Sequence, residues 1–228
     1  MLNGLDLFTG IGGFSIALRE IARPVAYCEI EPKVQAILMS RMSTNELHTA
    51  PIWDDVRTLS VDVLPETIDI VYGGFPCQPW SSAARGRNKA DGMHKEFARI
   101  VNECQPTFLF AENTAPEALR ALADLLPSYQ TAILELDAAA LGAPHIRRRS
   151  WLLGYADENG ESAFASDVEM AGVQTNAEAF WPHYPPDSFR VVDGLPFRMD
   201  ATRALGNAVA PEHARAAFHI LCGLVVQK

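Results

Sequence analysis

Basic residues are scarce in this chain: 19 lysines and arginines stand against 28 acidic residues, a net charge of −9 over 228 residues. A broadly basic surface of the kind that holds nucleic acid through phosphate contacts is therefore excluded, and such a role would have to rest on local patches. Cysteine is also sparse. The four, at positions 28, 77, 104 and 222, have neither metal-ligand spacing nor the density of a disulfide framework, so a reducing, cytoplasmic setting and no metal are expected. No apolar stretch approaches the ~18 residues of a membrane span, so no membrane association is expected. The longest run, Ala216 to Val226, is interrupted by His219 and reads as a core-facing C-terminal helix. The N-terminus lacks a basic region and enters strand-like sequence at once, so no signal peptide is expected. There is no internal repeat.

The charge that is present is unevenly spread. Arg85, Arg87, Lys89, Lys95 and Arg99 fall in one stretch against only Asp91 and Glu96; Arg147, Arg148 and Arg149 form a second cluster, and Arg190, Arg198 and Arg203 a sparser third. On charge alone a solvated face and a nucleic-acid patch are equal readings. The length suits one domain with a sizeable core, and 48% hydrophobic with 21% charged residues is a globular composition.

Strand-like and helix-like segments alternate, the pattern of βαβ units around a mostly parallel sheet with helices on both faces. Strands are predicted at Leu5 to Phe8, Val25 to Cys28, near Ile52, Ile68 to Tyr72, Thr107 to Ala111, Thr131 to Leu136 and Ser150 to Leu153. Helical spacing covers Gly13 to Ile21, Lys33 to Met42, Lys95 to Glu103 and Ala115 to Leu126, and Pro211 opens a last helix at a favoured first-turn position. After Gly154 the composition turns polar and rich in glycine and proline. Three parts are expected: a core over 1–154, a small insertion over 155–198, and a segment over 199–228 that completes the core.

Two segments carry chemistry. In GGFPCQPWSSA, residues 73 to 83, Cys77 lies between Pro76 and Pro79 just past an apolar strand, where open α/β sheets place their active sites. A lone cysteine is more often a small buried hydrophobe; here the surrounding motifs favour a nucleophile. Gly10, Gly12 and Gly13 follow a strand and open a helix, so the backbone can approach a ligand and donate N–H groups to it. Glu29, at the end of the second strand, is placed for ribose hydroxyls. A nicotinamide dinucleotide would use much the same parts, but the glycine spacing is not Gly-x-Gly-x-x-Gly.

In this order the motifs resemble the cytosine-5 DNA methyltransferases. LDLFTGIGGFSIAL (5–18) is similar to that family's opening cofactor loop and Pro-Cys-Gln around Cys77 to its catalytic turn. Glu29 in YCEIEP, Asp55 in PIWDDV, Glu112 in FAENT, Arg147 and Arg149 in GAPHIRRRSWLLG, and Gly206 and Asn207 in ALGNAVAP match in turn. The resemblance implies a Rossmann-like methyltransferase fold of the α/β class, with Ser150 to Leu153 antiparallel, and S-adenosylmethionine as cofactor. Phe8, Gly10, Ile11, Gly12, Gly13, Glu29, Ile30, Asp55, Val56, Pro76, Asn207 and Ala208 would hold it. Cys77, Glu112, Arg147 and Arg149 would be catalytic, on a cytosine flipped out of double-stranded DNA because its target atom is unreachable in the stack. Ser81, Arg85, Arg87, Lys89 and Arg148 would contact the DNA, with residues 81 to 93 resembling the family's closing loop. Without the resemblance, Glu112 also reads as an acid facing a helix N-terminus.

The chain departs from the family at His145, where glutamine is usual, and at Thr114, where valine is usual; neither change removes a reactive group. The larger departure is the short recognition region, which implies a target of about two to four base pairs, at ~1–3 kcal/mol of discrimination per bidentate contact. It leaves open a transfer RNA substrate, a non-catalytic cofactor- or DNA-binding module, and dependence on a separate recognition partner. A companion restriction nuclease, as in restriction-modification, is compatible with the resemblance.

Overall fold

The computed structural model describes residues 1–64, 66–76, 92–143, 145–156 and 208–226. Cys77, Ser81, Arg85, Arg87, Lys89, Asn207 and nearly all of the expected insertion lie outside the described residues.

Seven strands form one sheet. In chain order the elements are β1 (Leu2–Leu7), α1 (Gly13–Ala17), β2 (Ala22–Cys28), α2 (Pro32–Ser43), β3 (Ile52–Trp53), β4 (Ile70–Gly74), α3 (Met93–Cys104), β5 (Phe108–Asn113), α4 (Pro116–Ala123), β6 (Tyr129–Asp137), β7 (Arg148–Ala156) and α5 (Pro211–Val226). The strand order is β3-β2-β1-β4-β5-β7-β6. Pairing is parallel from β3 through β5, and β7 runs antiparallel to both β5 and β6. The expected mostly parallel sheet and its antiparallel strand are both present. β7 begins two residues before Ser150 and continues to Ala156, past the boundary expected at Gly154.

The apolar runs alternate across the sheet because successive strand side chains point to opposite faces. Leu5, Leu7, Val71, Leu109, Ala111 and Leu152 pack with Phe97, Ile100 and Val101 of α3 and Leu119 and Leu122 of α4. Ile70, Tyr72, Phe108, Phe110, Trp151 and Leu153 pack on the other face with Phe14 of α1 and Ala214, Ala217 and Phe218 of α5. Among the described residues, no helix is long and apolar enough to cross a membrane.

Several elements have other bounds than the sequence reading, such as β4 at Ile70–Gly74 and α4 ending at Ala123, and two of the shifts have a clear structural reason. Helix α1 stops at Ala17 rather than Ile21; the amides of Leu18, Ile21 and Ala22 close tight turns onto Phe14 and Leu18, which return the chain at once to β2. β2 starts at Ala22, so Pro24 lies inside a strand. Proline is tolerated there because β3 pairs only with Tyr27 and Cys28, which leaves Pro24 on a free edge, and the register beside it shifts between Gly4 and Leu5.

Candidate active site

The site lies beyond the carboxyl ends of the parallel strands. At β1, the chain leaves the sheet through Phe8 (φ 53°), Gly10 (φ 57°) and Gly12 (φ 88°), three left-handed residues within five positions. Glycine carries this conformation at little steric cost, and Gly12 caps α1 with it. The loop is cross-linked. The Thr9 hydroxyl donates to the Asp6 carbonyl at 2.8 Å and accepts from the Cys28 amide at 3.2 Å. The Glu29 carboxylate accepts from the amides of Gly10 at 2.8 Å and Glu31 at 2.9 Å. The Arg41 guanidinium donates to the Ile11 carbonyl.

Glu29 thus stands against the glycine loop, with the apolar Ile30 next to it 60% exposed. Asp55 is held by Arg57, whose Nη2 lies 2.6 Å from its carboxylate, and that partner lowers its pKa. The Val56 side chain is buried in the core, so only its backbone could face a ligand. Open glycine backbone, an acid beside it and an exposed apolar side chain together fit an adenosine-bearing cofactor such as S-adenosylmethionine.

Glu112 comes from inside β5 rather than from beyond its end. It pairs with Gly74 of β4 on one side and Trp151 of β7 on the other. A Cβ built at Gly74 would lie 2.9 Å from Glu112 Oε2 and 3.5 Å from the Phe14 ring, so the glycine makes room for the carboxyl. Burial pushes Glu112 up to about 7, opposed by Arg149 and then Arg147. Arg149 Nε is 2.8 Å from Glu112 Oε1.

Arg147 precedes β7, and its Nη2 donates to the Ala208 carbonyl at 2.6 Å. Both arginines lie within electrostatic reach of Glu112. Arg148 points elsewhere: it pairs with Asp137 at 3.3 Å and its side chain is 87% exposed. Next to Glu112, the Asn113 amide donates to the Phe75 carbonyl at 3.0 Å. That bond ties the start of the Phe-Pro-Cys turn to the strand end that carries the acid; Pro76 follows, exposed.

Several further residues around the site do not stand out in the sequence, although Asp6, Ser15, Trp151 and Val209 lie within the motifs. Asp6 is fully buried beneath α1, with Oδ2 2.6 Å from the Ser15 hydroxyl, which meets the Tyr72 hydroxyl at 3.1 Å. Burial raises Asp6 well above its ordinary range. Val209 closes the site from the C-terminal side: a Cβ at Gly13 would lie 2.3 Å from its carbonyl oxygen. His213 and Trp151 stack edge to face at 5.1 Å. Each is set by tertiary packing, and no sequence spacing announces it. Among the described residues, no group of three or more His, Cys, Asp or Glu side chains could hold a metal ion.

A seven-stranded α/β sheet with a glycine loop, a facing acid and a second buried acid at the strand ends defines the Rossmann-like methyltransferase class. The family model for C-5 cytosine-specific DNA methylase matches residues 2–181, and the chain belongs to that family, whose methyl donor is S-adenosylmethionine. The chain is 29% identical over 225 residues to Type II methyltransferase M.CviJI of Paramecium bursaria Chlorella virus IL3A, covering 94% of this chain and 58% of that protein. It is 32% identical over 183 residues to Type II methyltransferase M1.HphI of Haemophilus parahaemolyticus, covering 72% of this chain and 48% of the relative. The chain therefore spans about half the length of these relatives. Among solved structures, the S. pombe Dnmt2 methyltransferase superposes with a TM-score of 0.55 at 20% identity, over 85% of this chain and 65% of that one, a likeness of fold.

Proposed function

We propose that the chain transfers a methyl group from S-adenosylmethionine to C5 of a cytosine flipped out of double-stranded DNA, with Cys77 as nucleophile. The observation that supports the reading is the Asn113 to Phe75 hydrogen bond, which ties the segment two residues before Cys77 to the strand that carries the buried Glu112 and its partner Arg149.

The chemistry requires these groups together. Cytosine C5 is a weak nucleophile, and addition of the Cys77 thiolate to C6 makes it an enamine-like carbon. Glu112, held near neutrality by burial, donates its proton at N3 as the thiolate adds and takes it back when the adduct collapses. Arg149 orients that carboxyl, and Arg147 fixes the closing segment at Ala208. When bound, S-adenosylmethionine supplies an electrophilic methyl on a sulfonium. Loss of the C5 proton to water and expulsion of Cys77 as its thiolate then restore the ring. The other cysteines are poor candidates: burial pushes the Cys28 and Cys104 thiols up to about 12 and raises Cys222 as well, so little thiolate forms at them.

DNA contacts are assigned to Ser81, Arg85, Arg87, Lys89 and Arg148. Cofactor contacts are assigned to the loop from Phe8 to Gly13, Glu29, Ile30, Asp55, the Val56 backbone, Pro76, Asn207 and Ala208. The short 155–198 region implies few base contacts and a short target, or a separate recognition partner. A companion nuclease and a cytoplasmic location accord with the Type II relatives.

Labelled S-adenosylmethionine offered with DNA or transfer RNA tests the reading. Wild type should label DNA, Cys77→Ser should label nothing while binding S-adenosylhomocysteine as before, and 5-fluorocytosine DNA should trap wild type covalently. Labelling of transfer RNA alone would reassign the substrate, and near-wild-type turnover by the serine variant would overturn the mechanism.

A further inference from the structure

Helix α5 contributes one residue that the proposed reaction has not used. His213 lies in its first turn, 1% exposed, with its ring against Trp151 at 5.1 Å and an interplanar angle of 70°. It donates to the backbone carbonyl of Leu136, while Nε2 is buried with no partner, so the donor is Nδ1. The two residues it touches are the sheet neighbours of the catalytic pair. Leu136 is paired with Arg149 across β6 and β7, and Trp151 is paired with Glu112 across β5 and β7.

Residues directly opposite in an antiparallel pair present their side chains on one face. Glu112, Arg149 and Trp151 therefore share the face that α5 covers. Trp151 also stacks on Phe110 at 5.5 Å, and Phe14 edges both rings, so the wall beside the Glu112 carboxyl is aromatic. His213 fastens that wall and the Leu136 backbone at once. A leucine would fill the space with no orphaned Nε2, which in a buried site costs stability; what the histidine adds is the bond to Leu136.

We propose that His213 is a positioning residue that holds the β6 and β7 backbone so that Arg149 stays on Glu112. This rests on the reading of Glu112 as the proton donor, although the geometry it predicts can be observed without turnover. The charged groups facing Glu112 are Arg149 and Arg147, and those facing His213 are Arg147, Arg149 and Asp137. Neither α1 nor β4 presents one. Burial keeps His213 neutral, down to about 4, so its tautomer is constant across the working pH range.

The test compares His213→Asn, whose amide can replace the Nδ1 donor, with His213→Leu, which cannot. The Glu112 carboxyl is followed by 13C NMR in glutamate-labelled protein, assigned through Glu112→Gln. Wild type should titrate near 7. In the leucine variant Arg149 is released, the carboxylate loses its partner, and the titration should move up by roughly half a unit or more; the asparagine variant should return it. In methylation assays the leucine variant should lose on the order of tenfold in kcat with KM for DNA little changed, since a misplaced group costs rate more than binding. If the leucine variant fails to fold, His213→Phe keeps the ring volume without the donor and takes its place. An unmoved Glu112 titration in a folded donor-less variant overturns the proposal, as does an asparagine variant that behaves like leucine. A wild type that methylates no nucleic acid would overturn the proposed function and leave the NMR comparison intact.

Discussion

Arg149 and Glu112 are diagonal neighbours across β5 and β7, with Nε 2.8 Å from Oε1 on the face shared with Trp151. An arginine this close would hold an exposed carboxylate ionised, yet the burial that surrounds Glu112 outweighs it and lifts the carboxyl to about 7. The pair thus keeps a proton available near neutral pH and holds its carrier in one orientation.

On the proposed reading, in which Glu112 works as a proton donor, the rate of methyl transfer should fall as pH rises through about 7. Glu112→Gln should lose about 10²–10⁴ in rate, the usual span for a general acid, and should lack that alkaline limb. Single-turnover rates measured against pH check both. A limb that persists in the glutamine variant would assign the titration to another group.

Glu29 joins the glycine loop to the start of α2 through the amides of Gly10 and Glu31. Glu29→Ala removes a charged acceptor from both and, on the proposed reading, the partner of the ribose hydroxyls. Affinity for S-adenosylhomocysteine should drop by about 1–3 kcal/mol, the scale of a hydrogen bond to a charged group. Calorimetric titration measures it, and unchanged affinity would place the ribose elsewhere.

Much of this arrangement is legible in the sequence because it depends on local order. The apolar runs at 68–72 and 107–111 mark strands β4 and β5, which lie at Ile70–Gly74 and Phe108–Asn113 and are buried on both faces, and the glycine loop announces its own turn. Glu112, Arg147 and Arg149 carry motif signals. What escaped is tertiary. Nothing in Gly-Phe-Ser-Ile-Ala-Leu says that α1 ends at Ala17, since the end is fixed by the short return to β2. The sequence reading starts the second strand at Val25; Pro24 lies inside β2 because the free edge that tolerates it depends on how little β3 pairs. Asp6 and Val209 lie within the quoted motifs and His213 just past one, yet none stands out there, because each matters through what lies across from it.

Asp6 is a buried acid with one oxygen on Ser15 and the other without a partner. Its folded pKa is raised, so unfolding lets the proton go first. Stability from this group is complete below the ordinary carboxyl pKa and is lost as pH rises through the raised folded value. Asp6→Asn removes the titration and keeps the polar contact to Ser15. Its stability relative to wild type should therefore increase steadily as pH rises above about 4, as read by denaturant melts at several pH values. A difference that is flat with pH would mean that Asp6 is ionised in the fold.

Gly13 and Gly10 should fail differently when given a side chain. At Gly10 a Cβ meets nothing within 4 Å, but the φ of +57° makes any L-residue strained, a cost of roughly 1–2 kcal/mol. At Gly13 a Cβ would lie 2.3 Å from the Val209 carbonyl oxygen, a backbone atom that cannot rotate away. Gly13→Ala must push the 208–210 segment off α1, and that segment carries the Ala208 carbonyl that holds Arg147. The expected result is a loss of about 1–3 kcal/mol in stability from overpacking, together with weaker methylation, which Val209→Ala should not rescue because the obstacle is the carbonyl. Thermal melts and rates on both single variants and the double variant test this. Full rescue by Val209→Ala would show that the side chain, not the backbone, closes the site.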